Sequence, residues 1–320
     1  MTVPIQTVTE SGLTLTEVIA AELAAPGSDV ARAVANEVRA KHDNSVLAVL
    51  YYGSCFRTHS DTDGILDLFL IVDDYCNAYT RRGLAFANAV LPPNVFYYET
   101  EIEGQIVRAK YAVISLADFA RRTSLACFHS FHWARFAQPC GLLFVRDQSA
   151  QRAVIEALCA AVKTFVIRVA PELPATFAAE MLWKRGLQET YKTELRPEPP
   201  GVSARLIDAD PGRYHRVTEA AAASLAFLSL DGAAFTADID ARTRWWSSQA
   251  WRLRRIHGKL NNLCRLMKAV FTFDGGVDYV LWKIERHSGV RVEPTPLLRR
   301  HPLLACWATV WRLYRKGAFR

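Results

Sequence analysis

Apolar positions recur along the first half of this chain in two rhythms. Leu15, Val18, Ile19 and Leu23, then Val30, Val34 and Val38, fall at helical spacing. Residues 10–41 therefore read as helix, broken at Pro26-Gly27-Ser28. Residues 46–52 are β-branched and aromatic and read as a strand. Residues 65–72 form a second strand, apolar on both faces, which predicts a central place in its sheet. Residues 79–90 read as a helix stopped by Pro92-Pro93. Residues 95–101 and 105–115 read as a hairpin about Glu103-Gly104. Residues 116–122 and 128–136 read as short helices, and 142–145 as a last strand.

From residue 151 the rhythm is helical: 151–169, 174–190, 214–230, 244–271 and 277–287. The stretches 197–201 and 208–212 interrupt it as an exposed loop. Residues 294–296 read as a linker and 302–314 as a final helix. There are no internal repeats. The pattern predicts an α+β chain: a mixed sheet with flanking helices over residues 1–148, a mostly helical domain over 149–293, and a linker with a basic amphipathic helix over 294–320.

Composition adds limits to this layout. Apolar residues make up 51% of the 320, enough for a sizeable core. No run reaches the roughly 18 uninterrupted apolar residues of a membrane span. The N-terminus has early acids and no basic segment leading into an apolar one, so no secretory signal is expected. Seven cysteines without a Cys-x-x-Cys pair point to a reducing compartment and away from disulfides or a zinc cluster. The net charge is +7, yet residues 242–320 hold 17 Lys/Arg against 4 Asp/Glu, leaving −6 for the first 241. That asymmetry suggests an anionic partner at the C-terminal end, nucleic acid or anionic lipid. A solvated helical face is the plainer alternative.

The densest chemistry lies in residues 47–74. An apolar strand ends in Gly53-Ser54, a polar loop follows, and the next strand carries Asp67. A carboxylate inside an apolar strand is costly unless compensated, and a metal ion beside a phosphate would compensate it. Glycine lets backbone approach phosphate, and the serine hydroxyl and nearby N–H groups bind its oxygens. Strand, Gly-Ser, loop and strand carboxylate together resemble the polymerase-β-like nucleotidyltransferases, which implies Mg²⁺ held by strand carboxylates. The usual second acid two residues on is missing, and Phe69 stands there. Asp73 lies roughly 20 Å along an extended strand from Asp67 and cannot share its ion. Asp61, Asp63, Glu99 and Glu101 remain alternatives for the partner carboxylate. His129 and His132, three apart with no third ligand, read as helix-face histidines.

Further motifs narrow the resemblance. Tyr52-Gly53-Ser54, Leu66-Asp67-Leu68 and Val72-Asp73-Asp74 occur in that order. Residues 91–98 (LPPNVFYY) and 110–115 (KYAVIS) follow, then Ala134-Arg135 with Pro139, Gly186-Leu187 with residues 191–196, Lys268 with Phe271-Thr272, and residues 279–283. This series resembles the mitochondrial translocator-assembly-and-maintenance family of phosphatidate cytidylyltransferases, over about residues 46–290. That family also lacks the second alternating acid. This chain departs from it at Glu194, where the family has aspartate, at Lys192-Thr193, at Gln138 in place of a lysine, and at a shortened run after Thr272.

The resemblance implies a Mg²⁺-dependent enzyme that converts CTP and phosphatidic acid to CDP-diacylglycerol and diphosphate. It implies Asp67 and Glu194 as metal ligands, with Lys110 as a third catalytic group. Tyr52, Gly53, Ser54, Arg135, Arg196 and Lys268 would bind nucleotide and phosphate. The setting would be the inner face of the cell membrane, or the matrix side of the mitochondrial inner membrane, with the protein peripheral and no specific nucleic acid bound. Transfer to another phosphorylated acceptor, or a catalytically degraded relative, are the alternatives.

The last helix fits a lipid surface. Leu303, Leu304, Trp307, Val310, Trp311 and Tyr314 recur at helical spacing among Arg299, Arg300, Arg312, Arg315, Lys316 and Arg320. Trp307, Trp311, Arg312, Arg315 and Lys316 are the expected membrane contacts. Docking of that apolar face on the protein body is the alternative.

Overall fold

The computed structural model describes residues 13–25, 27–58, 64–194 and 201–272. Helix α1 (Leu15–Leu23) starts at Thr14, whose hydroxyl accepts the Glu17 N–H while the Glu17 carboxylate accepts the Thr14 N–H. This reciprocal cap fixes the helix start. Helix α2 (Asp29–Ala40) begins at Ser28, whose hydroxyl accepts the Ala31 N–H.

Strand β1 (Val46–Tyr52), helix α3 (Gly53–Thr58) and strand β2 (Leu66–Val72) come next. Then follow α4 (Tyr75–Ala78), α5 (Arg82–Val90), β3 (Asn94–Ile102), β4 (Gln105–Ser115), α6 (Leu116–Thr123), α7 (Phe131–Phe136) and β5 (Gly141–Val145). The five strands form one sheet in the order β3-β4-β2-β1-β5. β2 is central, antiparallel to β1 and parallel to β4, so the sheet is mixed. Its two faces separate by the period-two rule. Leu66, Leu68, Leu70 and Val72 pack with Val34, Val38, Tyr79 and Tyr111. Phe69 and Ile71 face the other way, onto α1 and the helices that follow the sheet.

Those helices are α8 (Gln148–Val169), α9 (Ala179–Tyr191), α10 (Val202–Asp208), α11 (Pro211–Ala222) and α12 (Ala241–Thr272). A small sheet joins them, with β6 (Thr176–Phe177), β7 (Leu228–Asp231) and β8 (Ala234–Ala237) in the order β6-β8-β7. One buried cluster runs from Leu50, Phe69 and Ile71 through Phe165 and Trp183 to Tyr214 and Trp251. The Trp183 ring stacks on Phe165 at 4.4 Å between centroids, and its indole N–H donates to Thr218. A buried indole needs such a partner.

Several elements differ from the sequence reading. The helix expected over 79–90 starts at Arg82, because Tyr79 and Arg81 are extended; before them lies the separate turn α4, which Asp74 caps by accepting the Cys76 N–H at 2.7 Å. The helix expected over 128–136 starts at Phe131, and that over 174–190 is preceded by β6. Residues 208–212 are the end of α10 and the start of α11, where Asp210 accepts the Arg213 N–H and Pro211 takes the first helical position. The helix expected over 214–230 stops at Ala222, and the chain turns back at Asp231-Gly232 with Gly232 at φ 62°. Residues 277–287, 294–296 and 302–314, with the expected membrane contacts Trp307, Trp311, Arg312, Arg315 and Lys316, lie outside the described residues. No helix among the described residues is long and apolar enough to cross a membrane.

Candidate active site

Strand register assembles the site. Tyr52 pairs with Asp67, Asp67 with Lys110, and Lys110 with Tyr97, so these four residues form one row across β1, β2, β4 and β3. The Lys110 ammonium lies 2.8 Å from Asp67 Oδ1, with the two side chains 33% and 20% exposed. The Asp67 charge is the largest effect on Lys110 and holds its ammonium well above the usual lysine range. The compensation that a strand carboxylate requires is therefore supplied in the fold by a lysine on the neighbouring parallel strand.

Gly53 is matched to Asp67. Its φ is +89°, and a Cβ there would stand 2.4 Å from Asp67 Oδ2. Only glycine tolerates both that dihedral and that approach. The chain leaves β1, passes beside the Asp67 carboxylate and enters α3 with Ser54. Phe69, where a second acid was missing, is 1% exposed and packs against Tyr52, Phe119, His132 and Phe136. A carboxylate there would lie inside an aromatic core.

A cleft of about 440 Å³ opens over this row. Tyr52, Gly53, Ser54, Arg57, Asp67 and Lys110 form its sheet side. His129, Phe131, Arg135 and Gln138 form a second wall, and Tyr191, Thr193, Glu194 and Asn262 a third. The Arg135 guanidinium donates to the Tyr52 hydroxyl at 3.3 Å and sits over the Phe131 ring at 4.5 Å. Burial opposes its charge, but Tyr52, Glu194 and Asp67 outweigh burial and raise its pKa. Two carboxylates, one lysine and two arginines thus border one cavity.

Most residues singled out in the sequence meet here: Tyr52, Gly53, Ser54, Asp67, Lys110, Arg135 and Glu194. Lys268 does not line the cleft, and its ammonium donates to the carbonyls of Leu91 and Pro93 at 2.5 and 2.8 Å. Arg196, Asp61 and Asp63 lie outside the described residues. Glu99 is held by Arg108 at 3.0 Å and by the Tyr97 hydroxyl, and Glu101 is exposed, so neither borders the cleft. Asp73 is at the far end of β2, where it accepts from Asn77.

The histidines are buried rather than displayed on a helix face. His132 lies edge-on to Phe69 and Phe131, and His129 precedes α7 and accepts the Phe131 N–H. Burial, then the nearby Arg265, pushes both below the usual histidine range, His129 to about 3. Both rings are neutral at pH 7. The cleft residues missed in the sequence include Arg57 and Asn262. Arg57 follows Ser54 by three positions, so once α3 is read as a helix the two share a face.

The donor set can be tested against Mg²⁺. Among the described residues no group of three or more His, Cys, Asp or Glu side chains converges as a metal cage. Mg²⁺ is ordinarily held by one or two carboxylates together with substrate phosphates and waters. Asp67, Glu194 and the Ser54 hydroxyl are hard oxygen donors on one cavity, with Lys110, Arg57 and Arg135 beside them. As a donor set they fit a hard divalent cation such as Mg²⁺.

No protein-family model and no curated protein matches the chain. Among solved structures, a nucleotidyltransferase-like protein from Exiguobacterium sibiricum 255-15 is similar over 90% of this chain and 92% of that chain, at 12% identity and a TM-score of 0.27. So loose a superposition carries no argument about fold or chemistry. The chain's own residues define a mixed α/β protein with a cleft bordered by Asp67, Glu194, Lys110, Arg57 and Arg135.

Proposed function

We propose that this protein is a Mg²⁺-dependent nucleotidyltransferase that uses CTP as donor and phosphatidic acid as acceptor. One observation carries this reading: motifs scattered between Tyr52 and Glu194 in the sequence border one cleft. The identities of CTP and phosphatidic acid rest on the sequence resemblance.

An oxygen of the acceptor phosphate would attack the α-phosphorus of CTP. The bond to the β-phosphate would break, diphosphate would leave, and CDP-diacylglycerol would form. The nucleophile is already ionised near pH 7, so positioning and charge neutralisation dominate. Lys110, Arg57 and Arg135 would take phosphate oxygens, Arg135 as a planar fork. Ser54 would hydrogen-bond phosphate where Gly53 lets the backbone pass close. Asp67 and Glu194 would hold Mg²⁺, which when bound supplies charge neutralisation at the transferred phosphate.

The test is purified protein with CTP, Mg²⁺ and phosphatidate vesicles, assayed for diphosphate and CDP-diacylglycerol. Asp67→Asn is expected to lower kcat by at least about a hundredfold, the range for removing a group that stabilises developing charge. Glu194→Ala is expected to lose Mg²⁺-dependent turnover in the same way. Parental turnover in Glu194→Ala would remove Glu194 from the metal site. Product formed only with water-soluble phosphates would replace the lipid acceptor.

A further inference from the structure

Two groups that the nucleotidyl-transfer reading gives to different ligands are bound to each other in this structure. Asp67, read as a metal ligand, lies through Oδ1 at 2.8 Å from the ammonium of Lys110, read as a phosphate ligand. Strand register makes the contact. Asp67 and Lys110 are direct partners on the parallel strands β2 and β4, and neighbouring strands run about 4.8 Å apart. The pair borders the same cleft as Ser54, Arg57, Arg135 and Glu194. Both side chains are partly exposed there, and an ion pair in contact with water exchanges partners at small cost.

Each member of the pair weakens what the other attracts. One negative charge at Asp67 does not compensate both the Lys110 ammonium and a divalent cation, and the two cations would repel across the carboxylate. The Gly53 backbone closes on the other oxygen, since an added Cβ would stand 2.4 Å from Oδ2. In turn, an ammonium already neutralised by Asp67 offers a phosphate less charge. The lysine stem is flexible and ends in a compact charge, so Lys110 can leave Asp67 while the strands stay paired. Arg135 is the more fixed cation, with its guanidinium on the Tyr52 hydroxyl and over the Phe131 ring.

We propose that Asp67 and Lys110 form a resting ion pair that is exchanged when the cleft is loaded. Lys110 passes from Asp67 to a phosphate oxygen, and the Asp67 carboxylate is thereby freed for a divalent cation. Phosphate and cation then bind cooperatively, each raising the affinity for the other by the same factor. The exchange deepens the nucleotidyl-transfer reading, on which the assignment of Asp67 to metal and of Lys110 to phosphate rests.

The test is calorimetric binding to the full chain in two separate titrations, Mg²⁺ without phosphate and inorganic triphosphate without metal. Triphosphate carries the phosphates of a nucleotide without a base, so the result does not depend on which nucleotide is used. Lys110→Gln is expected to tighten Mg²⁺ by about tenfold, within the usual range of coupling between sites, and to weaken triphosphate. Asp67→Asn is expected to tighten triphosphate by a similar factor, because it releases Lys110. That gain should be mostly lost when Asp67→Asn is combined with Lys110→Gln, since it acts through Lys110. Melting curves show whether Lys110→Gln, which leaves Asp67 without its cation, still folds. Where it does not, Asp67→Asn decides alone, because it keeps a polar group of the same shape. Parental or weaker Mg²⁺ binding in a folded Lys110→Gln overturns the exchange, as does parental or weaker triphosphate binding in Asp67→Asn. A triphosphate gain that survives in full in the double variant belongs to the general field of the cleft and overturns it too. Failure of Mg²⁺ and triphosphate to bind the parent or any variant overturns the exchange together with the reading on which it rests. The expected affinities in a protein that transfers no nucleotide would leave the exchange standing and overturn the catalytic reading alone.

Discussion

The site depends on a few residues whose roles follow from contact. Gly53 is one. A side chain at φ +89° is strained, and its Cβ would press 2.4 Å from Asp67 Oδ2. Relief requires moving a carboxylate that Lys110 holds at 2.8 Å. Gly53→Ala is therefore expected to cost about 1–2 kcal/mol of stability and to lower turnover by more than that loss of folding explains. Urea denaturation beside steady-state rates checks both, and parental values in each would remove the close approach from the account. Asp67 was legible in the sequence because an acid stands out in an apolar strand. Its neutralisation by Lys110 was not, because sequence carries no strand register. Phe69 read as an absence of acid and proves to be a core aromatic. Lys268 was picked out by motif and lies outside the cleft, where its ammonium donates to the carbonyls of Leu91 and Pro93.

Elements carry these residues to the site, and α12 does so for the third wall. Trp251 donates to the Arg168 carbonyl at 3.0 Å and Arg254 to that of Phe128 at 2.9 Å. Gly258 allows the helix to back onto Thr193, whose carbonyl oxygen would stand 2.6 Å from an added Cβ. Glu189 joins α9 to α12. Its side chain is 1% exposed and is met by Arg255 at 2.6 Å, Lys192 at 2.9 Å and Arg185 at 3.4 Å. Burial opposes its charge, but hydrogen bonds from Arg255 and Lys192 and the Arg185 charge outweigh burial and lower its pKa. A carboxylate lowered on folding contributes stability above its unfolded pKa, and that contribution is lost as pH falls through the folded value. Glu189→Ala is expected to cost about 3–5 kcal/mol at pH 7, the range for breaking a buried pair, with the difference from the parent shrinking below pH 4.5. Chemical denaturation at pH 7 and pH 4 checks it, and a pH-independent difference would assign the loss to packing instead. The helices here were legible from spacing. The β7–β8 hairpin was not, since apolar residues at Ala221, Leu225 and Leu228 continue the helical rhythm past the true end at Ala222, and only Asp231-Gly232 marks the turn.

At the scale of the whole molecule the parts combine into a core that crosses from sheet to helices and a charge that does not spread evenly. Arg213 on α11, 4% exposed, grips Glu22 on α1 through two bonds of 2.8 and 2.9 Å and donates to the Ala137 carbonyl. That tie joins the first helix to the last part of the sheet domain and to α11. Such a contact between residues 191 apart in sequence has no local signature. The charge, by contrast, is fully legible: −6 over the first 241 residues and +13 over the rest. If the acceptor is a lipid phosphate, the basic end must bring the cleft to an anionic surface. Each Lys or Arg near such a surface contributes about 1 kcal/mol, and that attraction is screened within a Debye length of about 8 Å at physiological salt. On that reading, Trp307 and Trp311, four apart in sequence among Arg312, Arg315 and Lys316, would add an apolar, salt-independent part. The two parts are separable. The full chain is expected to sediment with vesicles containing phosphatidate and to be released in part by 0.5 M NaCl, where the Debye length shrinks from about 8 Å to about 4 Å. The Trp307→Ala/Trp311→Ala double variant should lose binding that salt does not release, while keeping the parental melting temperature and parental turnover on a detergent-dispersed acceptor. Unchanged sedimentation of the double variant would place the aromatic pair against the protein body, and the membrane attraction would then rest on charge alone.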